Sequence, residues 1–401
     1  MSTRIAPLIT TKNAPKQFRT TSILTPRYQT FGNSIMDQLE VLPSVSRLSD
    51  HVVRVLGQNP GKFTLQGTNT YIVGKSNPYT LIDTGEGRDE YIPILESALL
   101  DAAQPTNPTA PDISDIVISH WHPDHVNGLP SVLTLLQRLW SARNPTLPFP
   151  PPRLHKFPTD FSTPLTAHAH AHDTHHILRT VIAALPPTTY APSPTGAPFY
   201  DLHDSEVLSP SGLRVLHTPG HTDDSICLYI PQDRVLYTAD TVLGQGTAVF
   251  EDLAAYIASL TTMLHFGDGD ASHEYTALYP GHGPVVTKGK ELISSYIRHR
   301  LEREEQILNV LHTPPPSGDA DAASEEEPQR SWTTWSIVTT MYAAYPESLW
   351  LPAAHSVDLH LKKLQADGVA RKVSGELQHT VWELVDILSV SAPPVDRKHG
   401  L

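Results

Sequence analysis

Short apolar runs rich in β-branched residues recur along the first three quarters of the chain, each followed by Gly, Pro or polar residues. Residues 115–119 form such a run and predict a buried strand, because a few consecutive apolar residues before a turn fit a strand covered on both faces. Asn127-Gly128 predicts a turn, and residues 129–140 have helical spacing. Residues 213–216, 226–230 and 234–236 predict further strands.

The last quarter of the chain combines helical spacing with one polar break. Residues 293–311 predict a helix with one apolar and one charged face. Residues 312–330 contain three consecutive prolines and many acidic residues, and they predict a solvated linker because they offer too little apolar surface to bury. Beyond the linker, the pattern predicts three helices and two strands over residues 335–342, 349–355, 357–366, 369–373 and 380–384.

Residues 144–199 are dense in Pro and Ala and lack sustained periodicity, so they are predicted to be an insertion. They include a histidine-rich run over residues 167–176. We interpret this run as a solvated loop, with adventitious metal binding or a role as a lid beside the site as the alternatives.

Composition narrows the class of protein. The chain has 401 residues, more than one ordinary domain, so we expect a catalytic domain with an appendage. Its single cysteine, Cys227, excludes an intrachain disulfide and a thiolate-rich zinc site. The net charge of −13 is unfavourable for binding nucleic acid.

The sequence predicts a cytoplasmic protein. No apolar run reaches the roughly 18 residues that span a bilayer. The first 36 residues lack Asp and Glu but contain Arg and Lys, which makes mitochondrial import the alternative; three prolines among them disfavour a targeting helix. Residues 1–45 are accordingly predicted to be a flexible extension.

The candidate chemistry begins with His120-Trp121-His122-Pro123-Asp124-His125, which places four metal-binding side chains within six residues after a predicted strand. Imidazole and carboxylate are ligands that Zn²⁺ and similar ions prefer. His120 and His122, two residues apart, can approach one ion, while Asp124 and His125 turn toward a second. The pattern therefore predicts a metal-dependent hydrolase.

Three later residues supply the further ligands that a site for two metal ions needs. His221 lies in Thr-Pro-Gly-His-Thr and offers a third histidine for the first ion. Asp240 follows a predicted strand and offers a carboxylate that can bridge two cations. His282 lies in Pro-Gly-His-Gly and offers a third ligand for the second ion. Each follows a strand-like run and lies beside a Gly or another small residue, which lets the backbone turn closely around a metal.

These motifs, together with residues 54–61, 65–71 and 81–86, resemble the metallo-β-lactamase superfamily and its lactamase-β-like branch. That branch includes a mitochondrial endoribonuclease of animals and fungal thioesterases that release polyketides from carrier protein. The resemblance implies an αββα sandwich over residues 46–311 and a winged-helix-like domain over residues 331–390. It implies two metal ions, with Zn²⁺ expected and Mn or Fe possible.

The resemblance also implies the ligand sets. His120, His122 and His221 would hold one ion, Asp124, His125 and His282 the other, and Asp240 would bridge them. Asp83 would orient ligands from behind, although an N-capping or turn Asp is nearly as plausible from the sequence alone. Asp124 and Asp240 are also the predicted catalytic carboxylates.

The site itself leaves the substrate open. We favour hydrolysis of an ester or acyl thioester, including one bound to a carrier protein, by a metal-bridged hydroxide. A single-strand-specific endoribonuclease is the alternative, which we favour less because the net charge repels phosphates. Lys362, Lys363, Arg371 and Lys372 of the winged helix are candidates for phosphate contacts, but we favour a structural role for that domain. A third hypothesis is a binding module without turnover, which the complete ligand set disfavours. No membrane partner is expected, and the sequence does not give the oligomeric state.

Overall fold

The computed structural model describes residues 39–102, 107–159, 174–270, 273–315 and 331–385. Its strands are β1 (Val45–Arg47), β2 (Val52–Leu56), β3 (Asn69–Val73), β4 (Tyr79–Ile82), β5 (Ile113–Ile118), β6 (Arg153–Lys156), β7 (Phe199–Asp201), β8 (Arg214–His217), β9 (Ile226–Ile230), β10 (Val235–Ala239), β11 (Ala277–Pro280), β12 (Trp332–Thr333), β13 (Ala370–Ser374) and β14 (Val381–Leu384). Its α-helices are α1 (Tyr91–Ser97), α2 (Pro123–Val126), α3 (Leu129–Arg143), α4 (Thr174–Ala184), α5 (Leu253–His265), α6 (Gly289–Leu311), α7 (Thr334–Met341) and α8 (Trp350–Ala366).

Two sheets lie in the part of the chain before the C-terminal domain. The larger has seven strands in the order β1 to β7, antiparallel from β1 to β4 and parallel from β4 to β7. The smaller has the order β11-β10-β9-β8, with β10 parallel to β11 and antiparallel to β9. Strands β8, β10 and β11 therefore run in one direction, so the loops after them leave the same edge of the sheet.

Three apolar clusters separate four layers. Alternate residues of the buried strands face opposite clusters, so Ile116 and Ile118 pack against α1, α3 and α4, whereas Val117 packs between the two sheets. The third cluster lies between the smaller sheet and helices α5 and α6. The order helix, sheet, sheet, helix confirms the predicted αββα sandwich.

The C-terminal domain is a winged helix, as predicted, with α7 and α8 packed on the three-stranded sheet β12-β14-β13. Ile307 and Leu311 at the end of α6 share its core, so the domain is continuous with the sandwich through that helix. The predicted division of residues 349–366 into two helices is wrong: α8 runs unbroken from Trp350. Pro352 lies in its first turn, where a missing backbone N–H costs no helical hydrogen bond.

Residues 144–199, which are predicted to be an insertion, contain regular structure despite their lack of sustained periodicity. Strand β6 lies within the seven-stranded sheet, and α4 packs Leu178 and Val181 into the core beneath it. The periodicity of β6 is hidden because Arg153, His155 and Lys156 are polar. His155 and Lys156 are nevertheless buried, against the carboxylates of Asp115 and Asp224, while Arg153 is partly exposed and pairs with Asp115.

Several predictions fall on residues that the structure does not describe. These are most of the N-terminal extension, most of the histidine-rich run and nearly all of the acidic linker. Among the described residues, no helix is long and apolar enough to cross a membrane.

Candidate metal centre

The seven predicted ligands follow the ends of four strands. Strand β5 ends at Ile118, and the next residues carry His120 and His122 before α2 begins at Pro123. Asp124 and His125 lie in that short helix. The loops after β8, β10 and β11 carry the other three residues, which are His221, Asp240 and His282. The structure brings all seven together as two adjoining groups in which each residue's ligand atom lies within 4.8 Å of the others of its group.

The first group contains three imidazoles and the Asp240 carboxylate. The Nε2 atoms of His120 and His221 each lie 2.9 Å from Nδ1 of His122. His221 donates its Nδ1–H to the carbonyl of Val249 at 2.7 Å, so its Nε2 carries a lone pair. His120 is fixed in the same way, because its Nδ1 lies 2.9 Å from a Ser119 hydroxyl that itself donates to Asp83.

This convergence of nitrogens fits a cation. Two lone pairs point at one His122 nitrogen, which can offer at most one proton, so direct hydrogen bonds cannot satisfy all three rings. Burial, reinforced by the nearby His221 imidazole, lowers the pKa of His122 to about 3. Burial also lowers the pKa of His120 well below its usual value, so His120 and His122 are held neutral, as metal ligands must be.

The second group contains Asp124, His125 and His282. Oδ2 of Asp124 lies 3.1 Å from Nε2 of His282 and 3.3 Å from Nε2 of His125. Asp240 contacts both groups, with Oδ2 3.1 Å from Nε2 of His282 and 3.8 Å from Nε2 of His221. Nε2 of His125 and Oδ1 of Asp240 are buried without a hydrogen-bond partner among the described residues. Unpaired buried polar atoms of these types, facing one another, fit a divalent ion.

The carboxylates give the second group its charge. Burial would raise the pKa of Asp124 and of Asp240, but the imidazoles of His125 and His282 hold both pKa values well below their usual range. Burial would lower the pKa of His282, but Asp240 and Asp124 outweigh that effect and raise it to about 10. The lowered pKa values of the two carboxyls and the raised pKa of His282 have the same cause, which is the attraction between ionised carboxylates and protonated imidazoles.

Asp83 orients ligands of both groups. The carboxylate is fully buried and accepts hydrogen bonds from Nδ1 of His125 at 2.7 Å and from the backbone N–H and hydroxyl of Ser119 at 2.8 Å. The Tyr237 hydroxyl donates to the same carboxylate. Asp83 therefore acts on His125 directly and on His120 through Ser119. It caps no described helix, because the next one, α1, begins at Tyr91.

Sequence reasoning missed the other groups that hold the ligands. The Thr68 hydroxyl donates to Asp124 at 3.0 Å, and Asn59 donates to that hydroxyl at 3.1 Å. Both residues lie in motifs that carry the family resemblance, which was a usable signal. The backbone carbonyl of Val249 has no signature in the sequence, because any residue can supply it.

Two exposed apolar side chains lie on segments whose other atoms contact this centre. Phe63 is 71% exposed on the loop between β2 and β3, the same loop that brings Thr68 to Asp124. Val249 is 56% exposed, while its carbonyl holds His221. Exposed apolar side chains are available to contact an apolar ligand.

The basic residues of the winged helix are mostly neutralised within the domain or by α6. Lys362 pairs with Asp358 at 2.8 Å, and Arg371 pairs with Glu383 at 2.8 Å. Lys363 pairs with Glu304 of α6 at 2.9 Å and with Asp367 at 2.7 Å. Three of the four candidates for phosphate contacts are therefore engaged by carboxylates.

Comparison with family models gives two matches. The model of the metallo-beta-lactamase superfamily matches residues 63–288, which include all seven candidate ligands. The model of the beta-lactamase associated winged helix domain matches residues 333–379.

Relatives and solved structures agree. A beta-lactamase-like protein 2 homolog of Caenorhabditis elegans is 33% identical over 337 residues, covering 83% of this chain and 90% of the relative. An atrochrysone carboxyl ACP thioesterase of Aspergillus novofumigatus is 31% identical over 288 residues, covering 71% of this chain and 70% of the relative. The crystal structure of a beta-lactamase domain protein from Burkholderia ambifaria has a TM-score of 0.57 at 17% identity, covering 88% of this chain and 99% of that one. This last likeness concerns the fold alone.

Proposed function

The chain belongs to the metallo-beta-lactamase superfamily of hydrolases, and we propose that it is a dinuclear metal-dependent enzyme that hydrolyses acyl thioesters. The observation that carries the proposal is the pair of adjoining groups of imidazoles and carboxylates that share Asp240. We assign His120, His122 and His221 to one ion, Asp124, His125 and His282 to the other, and Asp240 to both.

Two bound divalent ions supply Lewis acidity that activates water and polarises the bond to be cleaved. Zn²⁺ is the proposed ion, and Mn or Fe would also suit these ligands. Asp83 keeps the Nε2 lone pair of His125 directed at the centre by accepting its Nδ1–H. Asp124 and Asp240 face the centre from its two groups and orient the attacking water by accepting its hydrogen bond.

Three observations favour a thioester over RNA. The net charge is −13, which opposes the binding of a polyanion. The winged helix pairs Lys362, Lys363 and Arg371 with carboxylates, so they form no basic path for a nucleic acid. Phe63 and Val249 offer apolar contacts that suit an acyl chain. Fungal relatives named as ACP thioesterases are consistent with a substrate on a carrier protein.

The test is a comparison of substrates with purified, zinc-loaded protein. A panel of acyl-carrier thioesters and a single-stranded RNA are incubated with and without chelator, and metal content is measured on the same sample. We expect two zinc ions per chain, thioester cleavage that chelator abolishes, and little RNA cleavage. Chelator-sensitive RNA cleavage without thioester cleavage would replace this substrate with the endoribonuclease alternative. Stoichiometric metal without any turnover would favour a binding module.

His122→Ala is the matched variant for that assay. It removes the nitrogen on which two other imidazoles converge, so activity should fall by orders of magnitude. Retention of most of the activity would mean that a contaminant or another site does the chemistry.

The proposed compartment is the cytoplasm, with mitochondria as the alternative. A fusion of residues 1–36 to a fluorescent reporter separates the two: a diffuse signal supports the cytoplasm, and a mitochondrial signal overturns it.

A further inference from the structure

We infer that Arg300, on helix α6, is a positioning residue for the metal centre, and that it acts by fixing the carbonyl of Val249, which orients His221. The inference rests on the proposed metal centre. It assigns a role to a residue outside every motif that carries the family resemblance.

The segment around Val249 is held by buried neighbours. Val249 has an exposed side chain, whereas Ala248 and Phe250 on either side are each 5% exposed. The Val249 carbonyl lies in the planar peptide group that joins Val249 to Phe250, so the packing of Phe250 restrains its direction. The Val249 carbonyl is therefore held toward His221, where it accepts the Nδ1–H at 2.7 Å.

Arg300 holds both Ala248 and Phe250. Arg300 donates from one terminal nitrogen to the carbonyl of Ala248 at 3.3 Å, and its guanidinium lies 4.6 Å from the centre of the Phe250 ring. Phe250 also stacks on Tyr256 of α5, with ring centres 5.2 Å apart. Arg300 thus contacts both neighbours of Val249, one by a hydrogen bond and one through a cation–π contact.

Other residues near Arg300 anchor the same segment. One helical turn earlier, Tyr296 donates its hydroxyl to the carbonyl of Gly246 at 2.8 Å, which anchors the same segment. Leu359 of α8 packs in the apolar cluster that contains Phe250 and Tyr256, so the winged helix contributes to this support. The far end of the segment is tied by Glu251, whose N–H donates to the carbonyl of Gly220 beside His221 at 2.7 Å.

Together these contacts form a continuous support from α6 to one ligand. Groups that accept the second N–H of a ligating histidine fix its tautomer and ring direction, and their loss weakens metal binding about 10- to 100-fold. Arg300 does not contact His221 itself but acts through the main chain around Val249, so we expect a weakening of metal binding at the lower end of that range. The other ligands of the first group do not depend on the 246–250 segment for their hydrogen bonds.

The experiment measures Zn²⁺ affinity by competition with a chromophoric chelator, using the full chain. Arg300→Met keeps the length and packing of the side chain but removes its charge and hydrogen bond. Arg298→Met is the matched control, because Arg298 lies on the same helix, is 63% exposed and pairs only distantly with Glu302, at 3.8 Å. We expect about tenfold weaker binding of one of two zinc ions in Arg300→Met and no change in Arg298→Met.

A double-mutant cycle tests the route through His221. Arg300→Met is combined with His221→Ala and, separately, with His282→Ala. If Arg300 acts through His221, its effect disappears in the His221→Ala background and persists in the His282→Ala background. An equal effect in both backgrounds, or an unchanged affinity in Arg300→Met alone, overturns the inference.

Two further measurements keep the outcome interpretable. Thermal unfolding of the zinc-free proteins shows whether Arg300→Met is folded, and Arg300→Lys, which retains the charge over Phe250, replaces it if it is not. Arg300→Lys is expected to lie between wild type and Arg300→Met in zinc affinity. If wild type itself binds no stoichiometric zinc, the proposed function fails; if it binds two ions and Arg300→Met does too with equal affinity, only this inference fails.

Discussion

Replacing the buried His360 by Leu should make the protein less sensitive to acid. His360 lies on α8 without exposed surface, and neither ring nitrogen has a hydrogen-bond partner among the described residues. Burial, together with the positive charges of Arg300, Arg303 and Lys363, lowers its pKa to about 3. The folded protein therefore keeps this imidazole neutral under conditions in which the unfolded chain protonates it.

The magnitude follows from the two pKa values. A histidine in an unfolded chain has a pKa of about 6.5, so near pH 7.5 both states are neutral and the residue adds no pH dependence. At pH 5.0 the unfolded state binds a proton that the folded state does not, and stability falls as the pH drops. Because pH 5.0 lies about 1.5 units below the pKa of the histidine in the unfolded chain, the free energy of unfolding falls by about 2 kcal/mol.

Urea unfolding followed by tryptophan fluorescence measures this difference. Four of the six tryptophans lie between residues 332 and 382, close in sequence to His360. Zinc-free protein is used at both pH values, so that titration of the metal centre is common to all variants. Wild type should lose about 2 kcal/mol more than His360→Leu between pH 7.5 and 5.0.

His355→Leu is the control, because His355 is exposed on the same helix; it should follow wild type. If wild type and His360→Leu lose stability in parallel, to within about 0.5 kcal/mol, the buried neutral imidazole is not the cause and the reasoning is refuted.

Three other changes test the support of the site. Asp83→Asn should weaken Zn²⁺ binding by about 10- to 100-fold in a chelator competition, and an unchanged affinity would argue against its role in orienting ligands. Lys156→Met leaves the fully buried Asp224 without its cation and should cost about 3–5 kcal/mol in urea unfolding, whereas adding Asp224→Leu should recover part of the loss. Gly220→Ala would place a Cβ 2.3 Å from the backbone nitrogen of Tyr256 at a φ of +127°, so it should cost more than about 2 kcal/mol; a loss near zero would contradict the close approach.

The ligand cluster could be predicted from sequence because its signals are local. His120, His122, Asp124 and His125 occupy one short stretch, and the remaining three ligands each follow a strand-like run. A strand end beside a glycine or small residue specifies both the residue type and its place at the sheet edge. The order of the layers was implied by the family resemblance, and the same runs fit it because their alternate residues face opposite apolar clusters.

What escaped prediction depends on contacts between distant parts of the chain. Strand β6 contains the polar residues His155 and Lys156, which are buried where Asp115 and Asp224 of other elements provide partners for them. The predicted division at residue 356 does not occur, because Ala354 before it and Val357 after it pack in the same apolar cluster and α8 continues through both. Arg300 supports His221 through a backbone carbonyl. Every residue has such a carbonyl, so the sequence does not indicate which one accepts the hydrogen bond.

The candidate ligands are divided between the two sheets. Four follow β5 of the larger sheet, and three follow β8, β10 and β11 of the smaller one. Ions held by both sets would cross-link the halves of the sandwich, so the halves could not separate without releasing metal. Loading with zinc should then slow spontaneous unfolding as well as shift its equilibrium. Chelation would shorten the lifetime of the folded protein, and proteolysis would be its visible result.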